Sequence, residues 1–316
     1  DGVRIGLLFS APAGNDLLFD EKLCVQGKNF SNKIWNAFRL VKGFDISTEK
    51  PQQSHELAAV KWFNENLNMK IIEINNSYDN FKISEALMIT YKLVWDDFCS
   101  IFLEIIKPSY GEALPLKTLN DTKAFFKKIL SLLEPFMPFI ANELNEKLDY
   151  SKIKLEWPNP HIQDQTIINN FNHINELITK VRNFKKANNI PFKESIKLYF
   201  ENKILDNELI SVIKKLTNSE LIFSKNKELD DLNSILVEKY IYYIESQKKL
   251  NHDDILEIQD SLEYNLGFKK ILEKKLSNKR FIENAPKAVV DNEMKKLDDV
   301  KFKIKLLEKK ISQLRS

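Results

Sequence analysis

Glycine is scarce in this chain: seven in 316 residues, with none between Gly43 and Gly111 or between Gly111 and Gly267. Glycine punctuates turns and helix ends, so long glycine-free stretches of mixed apolar and charged periodicity point to an α-rich fold. Cysteine is rarer still. Cys24 and Cys99 cannot make a four-ligand zinc site, and they give no ground for a secreted disulfide framework. No apolar run approaches the ~20 residues of a membrane span. The opening DGVRIGLLFS lacks the basic and long apolar regions of a signal peptide, and the missing initial Met suggests a fragment or a processed product. A soluble, reducing, cytoplasmic setting is expected. Neither charge sign dominates, since 48 basic residues face 45 acidic ones, and the net +3 says little about partners.

The catalytic signatures are absent too. There is no Gly-rich phosphate loop and no G-x-S-x-G, and the four histidines (His55, His161, His173 and His252) are scattered. Cys99 falls in a very apolar helical stretch, where a thiol is usually buried and inert. By its residues the chain is a binding module rather than an active site. What it does hold, 43% apolar and 29% charged side chains, suffices for ordinary cores and excludes a disordered or collagen-like chain. Its length suggests about two units.

Along the chain, a short helix and the loop APAGND lead to Asp20, a capping residue for a helix that runs to about Val41 and stops at Gly43. Further helices are predicted at roughly His55 to Asn66, Ser77 to Ile106, and from Asn120 or Asp121 to near Pro135. The third of these four has an apolar surface so wide that it belongs at the centre of a bundle. Pro138 suits the first turn of a short helix, and another is expected from Thr166 to Asn188. The texture then changes: SIKLYF alternates like a strand, Asn207 to Thr217 reads helical, and Leu221 to Phe223 and Tyr240 to Ile244 are strand candidates. From Val290, apolar residues through Leu314 alternate in steps of three and four, broken only by Glu293. That is a heptad seam. A fainter one precedes it from Ile255 to Leu276, and Pro286 between them requires two helices, hence an antiparallel coiled-coil hairpin.

Three features suit a nucleic acid. Gln26, Asn29, Lys33 and Asn36 repeat at helical spacing, with Asn32 and Arg39 alongside. Amides between basic residues fit base edges and ribose hydroxyls, and they fit an internal amide network equally well. Phe44, just past Gly43, could stack on a base or make the apolar contact that accompanies a helix stop. The stretch from Leu276 to Ser316 carries eleven Lys and Arg against six Asp and Glu, a net of +5, leaving −2 elsewhere. Such a hairpin suits a phosphate backbone, although a solvated coiled-coil face has the same composition.

The blocks RIGLLFSAPAGNDLLFDEKL and GKNFSNKIWNAFRL, followed by YKLVWDDFCSIFLEIIKP, PFMPFIANEL, KVRNFKKANNIPFKES and KKLSNKRFIENAPKAVVDNEMKKL, resemble valyl-tRNA synthetases in family order. They span nearly the whole chain. The resemblance implies a C-terminal fragment of a class I aminoacyl-tRNA synthetase. Its fold would be mainly α: residues 1–18 at the edge of the catalytic body, a helical anticodon-binding domain over 19–190, a small α+β connector over 191–248, and a coiled-coil tRNA-binding arm over 249–316. ATP and magnesium would serve the parent enzyme, and no cofactor is expected in the fragment, which lacks the HIGH-like and KMSKS-like signatures and any editing domain. The partner implied is tRNA, with neither membrane nor DNA. Contacts are implied at Lys28, Asn29, Lys33, Asn36, Arg39 and Phe44, at Arg182, Lys185 and Lys186, and along the arm at Lys296, Lys303 and Lys310. Trp95, Phe98, Cys99 and Glu104 match the family as core and scaffold. Glu134, Asn145 and the run Ser100-Ile101-Phe102 depart from its pattern. Two rival readings are an equivalent leucyl or isoleucyl fragment and a helical module whose coiled coil binds another protein.

Overall fold

The computed structural model describes residues 1–10, 20–149, 155–161, 164–200, 205–224, 232–238, 240–245, 252–278 and 287–315. The predicted APAGND loop and Pro286 linker lie outside them. So do the side chains of Ile255, Ile258, Ile311 and Leu314 on the predicted seam. The chain forms two compact units, Asp1–Ile174 with Leu205–Leu216, and Asn175–Ile204 with Thr217–Ser316.

The first unit opens with α1 (Gly2–Ser10) and α2 (Glu21–Lys42). Asp20 caps α2 as expected, its carboxylate accepting the N–H of Lys22 at 2.9 Å. Phe30, Ile34, Phe38 and Val41 make the buried stripe of α2. The two helices approach so closely that glycine is required at the contact. A Cβ on Gly27 would lie 2.4 Å from the Gly2 carbonyl oxygen, and one on Gly6 would lie 2.7 Å from the Cys24 nitrogen.

Helix α3 (Ser54–Asp79) starts with a capping box in which the Gln53 N–H donates to Glu56 Oε2 at 2.9 Å. The buried Glu56 carboxylate also accepts from the Thr118 hydroxyl at 3.1 Å. This helix runs well past Asn66, its predicted end, and it absorbs Ser77, the predicted start of the next. The boundary was misplaced because no glycine or proline marks it. Instead Phe81 adopts a left-handed conformation (φ 58°), while the N–H groups of Phe81 and Lys82 bond back to the Tyr78 and Ser77 carbonyls. This is a Schellman stop built on an aromatic residue.

Beyond it, α4 (Ile83–Lys92) continues into a π-helical stretch (Leu93–Phe102) and α5 (Leu103–Ile106). Val94, Phe98, Phe102 and Ile105 are fully buried, so this segment does hold the bundle centre. Two two-residue strands, β1 (Ile46–Ser47) and β2 (Leu114–Pro115), pair in parallel. They are too short for periodicity to reveal. The second of them feeds directly into α6 (Leu116–Leu133), which therefore starts earlier than the predicted Asn120. Pro138 opens α7 (Pro138–Asp149) as expected. The beginning of α8 (Gln165–Ala187) docks by stacking Phe171 on Trp62 at 3.9 Å. The core is aromatic: the Phe63 ring meets those of Phe98, Phe102 and Phe125 within 5.4 Å. The segment Leu205–Leu216, which holds all but the last residue of α9 (Asn207–Thr217), also belongs to this unit, joined by the pair of Lys61 with Glu208 at 2.8 Å.

The second unit holds a sheet of order β4-β3-β6-β5. Its strands are β3 (Ile196–Phe200), β4 (Ser219–Phe223), β5 (Asn233–Val237) and β6 (Tyr240–Glu245). Strand β4 runs parallel to β3, and β6 is antiparallel to β3 and β5. Strand β5 escaped the sequence reading. It begins with Asn233 and Ser234, which disguise a short strand. Helices α10 (His252–Leu276) and α11 (Lys287–Arg315) form the expected hairpin. Lys275, in the last turn of α10, pairs with Glu293 near the start of α11 at 3.1 Å. Leu262, Phe268 and Leu272 pack with Leu297, Val300 and Ile304 further along α11, so the two helices run antiparallel. Glu293, the break in the seam, sits buried in it, paired with both Lys275 and Lys296. Those hydrogen bonds, that of Lys296 first, hold its carboxyl below the usual range.

Candidate nucleic-acid interface

The surface of α2 opposite its buried stripe presents Lys28, Asn29, Asn32, Asn36 and Arg39, all exposed. The alternating steps of three and four that put Phe30, Ile34, Phe38 and Val41 into the core necessarily turn these residues outward. Among the described residues, the amides of Asn29, Asn32 and Asn36 make no hydrogen bond. The internal amide network, the rival reading of this stripe, is therefore not formed within them. Glu21 in the first turn, with Arg39 and Lys42 in the last, places charge favourably along the helix dipole.

Lys33 is half-buried. Its ammonium lies 5.3 Å from the ring centre of Trp95, which the π-helical stretch presents beside α2. Trp95, expected as scaffold, is thus a partly exposed aromatic at the edge of the polar stripe. A π-helix changes the phase of its side chains, and no sequence period announces it. Phe98 and Cys99 are core residues as expected, and burial pushes the Cys99 thiol up to about 12, against a smaller opposing effect of Lys33. Such a thiol is inert. Glu104 points elsewhere: it is exposed and takes no part in the core.

Phe44 is half-buried and follows a helix stop that does not use the freedom of glycine. Gly43 has φ −91°, and its N–H bonds to the Arg39 and Leu40 carbonyls. The chain leaves α2 by this ordinary turn to enter β1.

In the second unit the expected cluster at the end of α8 separates into distinct roles. Lys186 is exposed. Arg182 is exposed too and sits 5.9 Å above the Phe192 ring. Lys185 corrects the expectation of a surface contact, because it is only 3% exposed. Its ammonium donates to the Glu194 carbonyl at 2.6 Å, and to those of Asn218 and Phe192 at 3.4 and 3.5 Å. Burial lowers its proton affinity, partly offset by Glu194. A cation so enclosed by carbonyls ties α8 to β3 and β4 and has no surface left for RNA. On α11, Lys296 is exposed and paired with Glu293 at 2.9 Å. The side chains of Lys303 and Lys310 lie outside the described residues.

A bundle with a polar, amide-rich helix face beside an aromatic, together with a basic coiled-coil hairpin, has the makings of an RNA-binding portion of a synthetase. Residues 60–200 match the family described as the anticodon-binding domain of tRNA ligase. Residues 262–315 match the valyl tRNA synthetase tRNA binding arm. Nearly the whole chain is similar to the C-terminal part of valine–tRNA ligases. It is 41% identical over 325 residues to the valine–tRNA ligase of Christiangramia forsetii and 40% identical over 322 residues to that of Porphyromonas gingivalis. Similarity extends to the valine–tRNA ligase of Pseudothermotoga lettingae at 28% over 330 residues. These alignments cover 99–100% of this chain and 37% of each relative, so the chain spans about 37% of the length of the relatives it matches. The match lies in their C-terminal region.

Proposed function

We propose that this chain is the tRNA-recognising part of a valine–tRNA ligase, the enzyme that charges its tRNA with valine at the expense of ATP. The observation that carries the reading is the exposed stripe of α2, whose amides lack partners within the described protein and whose flanking charges are basic. In this reading Asn29, Asn36 and Arg39 face unstacked bases and riboses of the anticodon loop, with Lys28 and Lys33 beside them and Phe44 near the loop. We read residues 1–18 as the edge next to the catalytic body, 19–190 as the anticodon-binding domain and 191–248 as a connector. Residues 249–316 are then an arm whose lysines off the seam, including Lys296, Lys303 and Lys310, contact phosphates. Arg182 and Lys186 extend the basic surface.

The chemistry belongs to another part of the ligase. We assign ATP and magnesium to the catalytic part of the ligase; among the described residues no group of three or more His, Cys, Asp and Glu could hold a metal ion. No described helix is long and apolar enough to cross a membrane, and we place the chain in the cytoplasm with the translation machinery.

The test is a pair of binding titrations across salt concentrations, with a valine tRNA and a non-cognate tRNA. Asn36→Ala should weaken the valine tRNA more than the other, by about 1–3 kcal/mol if a base contact is lost. Deleting the residues after Lys248 should weaken both tRNAs together and flatten the salt dependence, since each phosphate contact contributes roughly 0.7–0.9 to its logarithmic slope. Unchanged affinities in both folded variants would overturn the assignment and favour a protein partner for the hairpin.

A further inference from the structure

The start of α3 opens on a cavity of about 350 Å³, whose lining includes Lys50, His55, Ser109, Lys214 and Lys215 together with Glu56 and Glu112. Its cations come from segments far apart in the chain, Lys50 just before α3 and the two others on α9, and the first unit brings them together. The carboxylates are already engaged. Glu56 accepts from the Gln53 N–H and the Thr118 hydroxyl, and Glu112 pairs with Lys50 at 3.2 Å.

Lys214 and Lys215 make no ion pair among the described residues. Lys215 Nζ lies 2.9 Å from His55 Nε2 and donates to the Lys107 carbonyl at 2.7 Å, and no carboxylate of the described residues reaches ion-pair distance of it. Lys214 is exposed and makes neither a hydrogen bond nor an ion pair among the described residues. The Ser109 side chain makes none either. The first turn of α3 adds N–H groups at Ser54 and His55, which have no acceptor within their own helix, at the positive end of a 26-residue helix dipole.

Two protonation equilibria are shifted by enclosure at this cavity, each by burial before any charge. His55 is pushed down to about 4, by burial first, then by Lys215 and Lys50, with Glu112 opposing. Lys215 is lowered by burial, which outweighs the opposing effects of Glu56 and Glu112; Lys50 adds a smaller lowering effect and Glu104 a smaller opposing one.

We propose that this cavity binds a phosphate group, its oxygens held by the Lys214 and Lys215 ammonium groups, the Ser109 hydroxyl and the first-turn N–H groups of α3. The volume suffices for a small phosphorylated molecule, and the open side at Lys214 also admits one phosphate of an RNA backbone. Both sources offer anionic non-bridging phosphate oxygens, monoanionic in the RNA diester and up to dianionic in a monoester. A bound anion beside His55 favours its charged form, so occupancy has a spectroscopic signature at a residue that need not touch the ligand.

The whole 316-residue chain is titrated with inorganic phosphate, against potassium chloride at matched ionic strength. His55 imidazole resonances and the thermal midpoint are followed. Saturable binding is expected, with the His55 midpoint rising by about one pH unit or more. Lys214→Ala, which removes no contact within the described protein, should weaken phosphate at least about tenfold, a loss of ~1.4 kcal/mol, without lowering stability in chloride. If phosphate also displaces tRNA, and Lys214→Ala weakens tRNA, the natural occupant is the RNA backbone. If phosphate binds without affecting tRNA, the occupant is a small phosphorylated molecule. An unsaturable response equal to that of chloride, an unmoved His55 midpoint, or an unchanged phosphate affinity in Lys214→Ala overturns the proposal.

Discussion

Alanine at Gly27 tests whether the approach of α1 to α2 is set by glycine. In an unobstructed helix interior the exchange stabilises, because alanine is the better helix former by ~0.8–1 kcal/mol. At Gly27 the new methyl group would stand 2.4 Å from the Gly2 carbonyl oxygen and 3.0 Å from Ile5 Cβ. The nearer neighbour is backbone, so it cannot swing aside as a side chain would. The helices must separate by about 1 Å to restore ordinary van der Waals contact. That movement disturbs Ile5, which is fully buried. Overpacking of this kind costs typically ~1–3 kcal/mol, and a clash with backbone belongs at the upper end. Subtracting the propensity gain leaves a net loss of about 2 kcal/mol for the first unit. Gly267→Ala is the internal control. It lies in α10 with nothing within 4 Å of its built Cβ, so it should gain up to ~1 kcal/mol. Urea unfolding separates the two, because Trp35, Trp62, Trp95 and Trp157 all lie in the first unit and their fluorescence reports it alone. Far-UV circular dichroism follows the hairpin helices as well. A Gly27→Ala protein as stable as the parent would show that the contact is loose and the argument from its geometry mistaken.

Two further outcomes are expected. Lys185→Met should lower the stability of the second unit by about 2 kcal/mol, because a charge-assisted bond is lost and the Glu194 carbonyl keeps no equivalent donor; an effect on tRNA affinity without any on stability would return Lys185 to the RNA surface. His55 binds its proton less readily folded than unfolded, at about 4 against an ordinary 6.5. Its contribution to stability is thus fully present above pH 6.5 and is lost as pH falls from there towards 4. Discounted for its partial exposure, the loss is about 1–2 kcal/mol. A His55→Gln protein should show a flatter stability profile across that window, and identical profiles would exclude His55 as the source.

What the sequence determined by itself is everything that repeats or that a local side chain enforces. The Asp20 cap, the proline start of α7, the alternation of β3 and the seam from Val290 each express a period or a fixed dihedral within one segment. Such features need no distant partner, and they were legible together with the family. The outward stripe of α2 was legible for the same reason, as the complement of a buried face. Phe81, its side chain exposed, stops α3 in a conformation its residue type disfavours, held by the backbone hydrogen bonds of Phe81 and Lys82 to Tyr78 and Ser77. Tertiary structure decided whatever required two segments to meet. The strand pair β1–β2 exists only once residues 46 and 114 are neighbours. Lys185 looks like its exposed neighbour Lys186 in sequence, yet one faces three carbonyls and the other water, a difference of only one helical position. The meeting of His55 with Lys215 across 160 residues has no local trace at all. Charge and hydrogen-bonding capacity are properties of residues, but their satisfaction is a property of the fold.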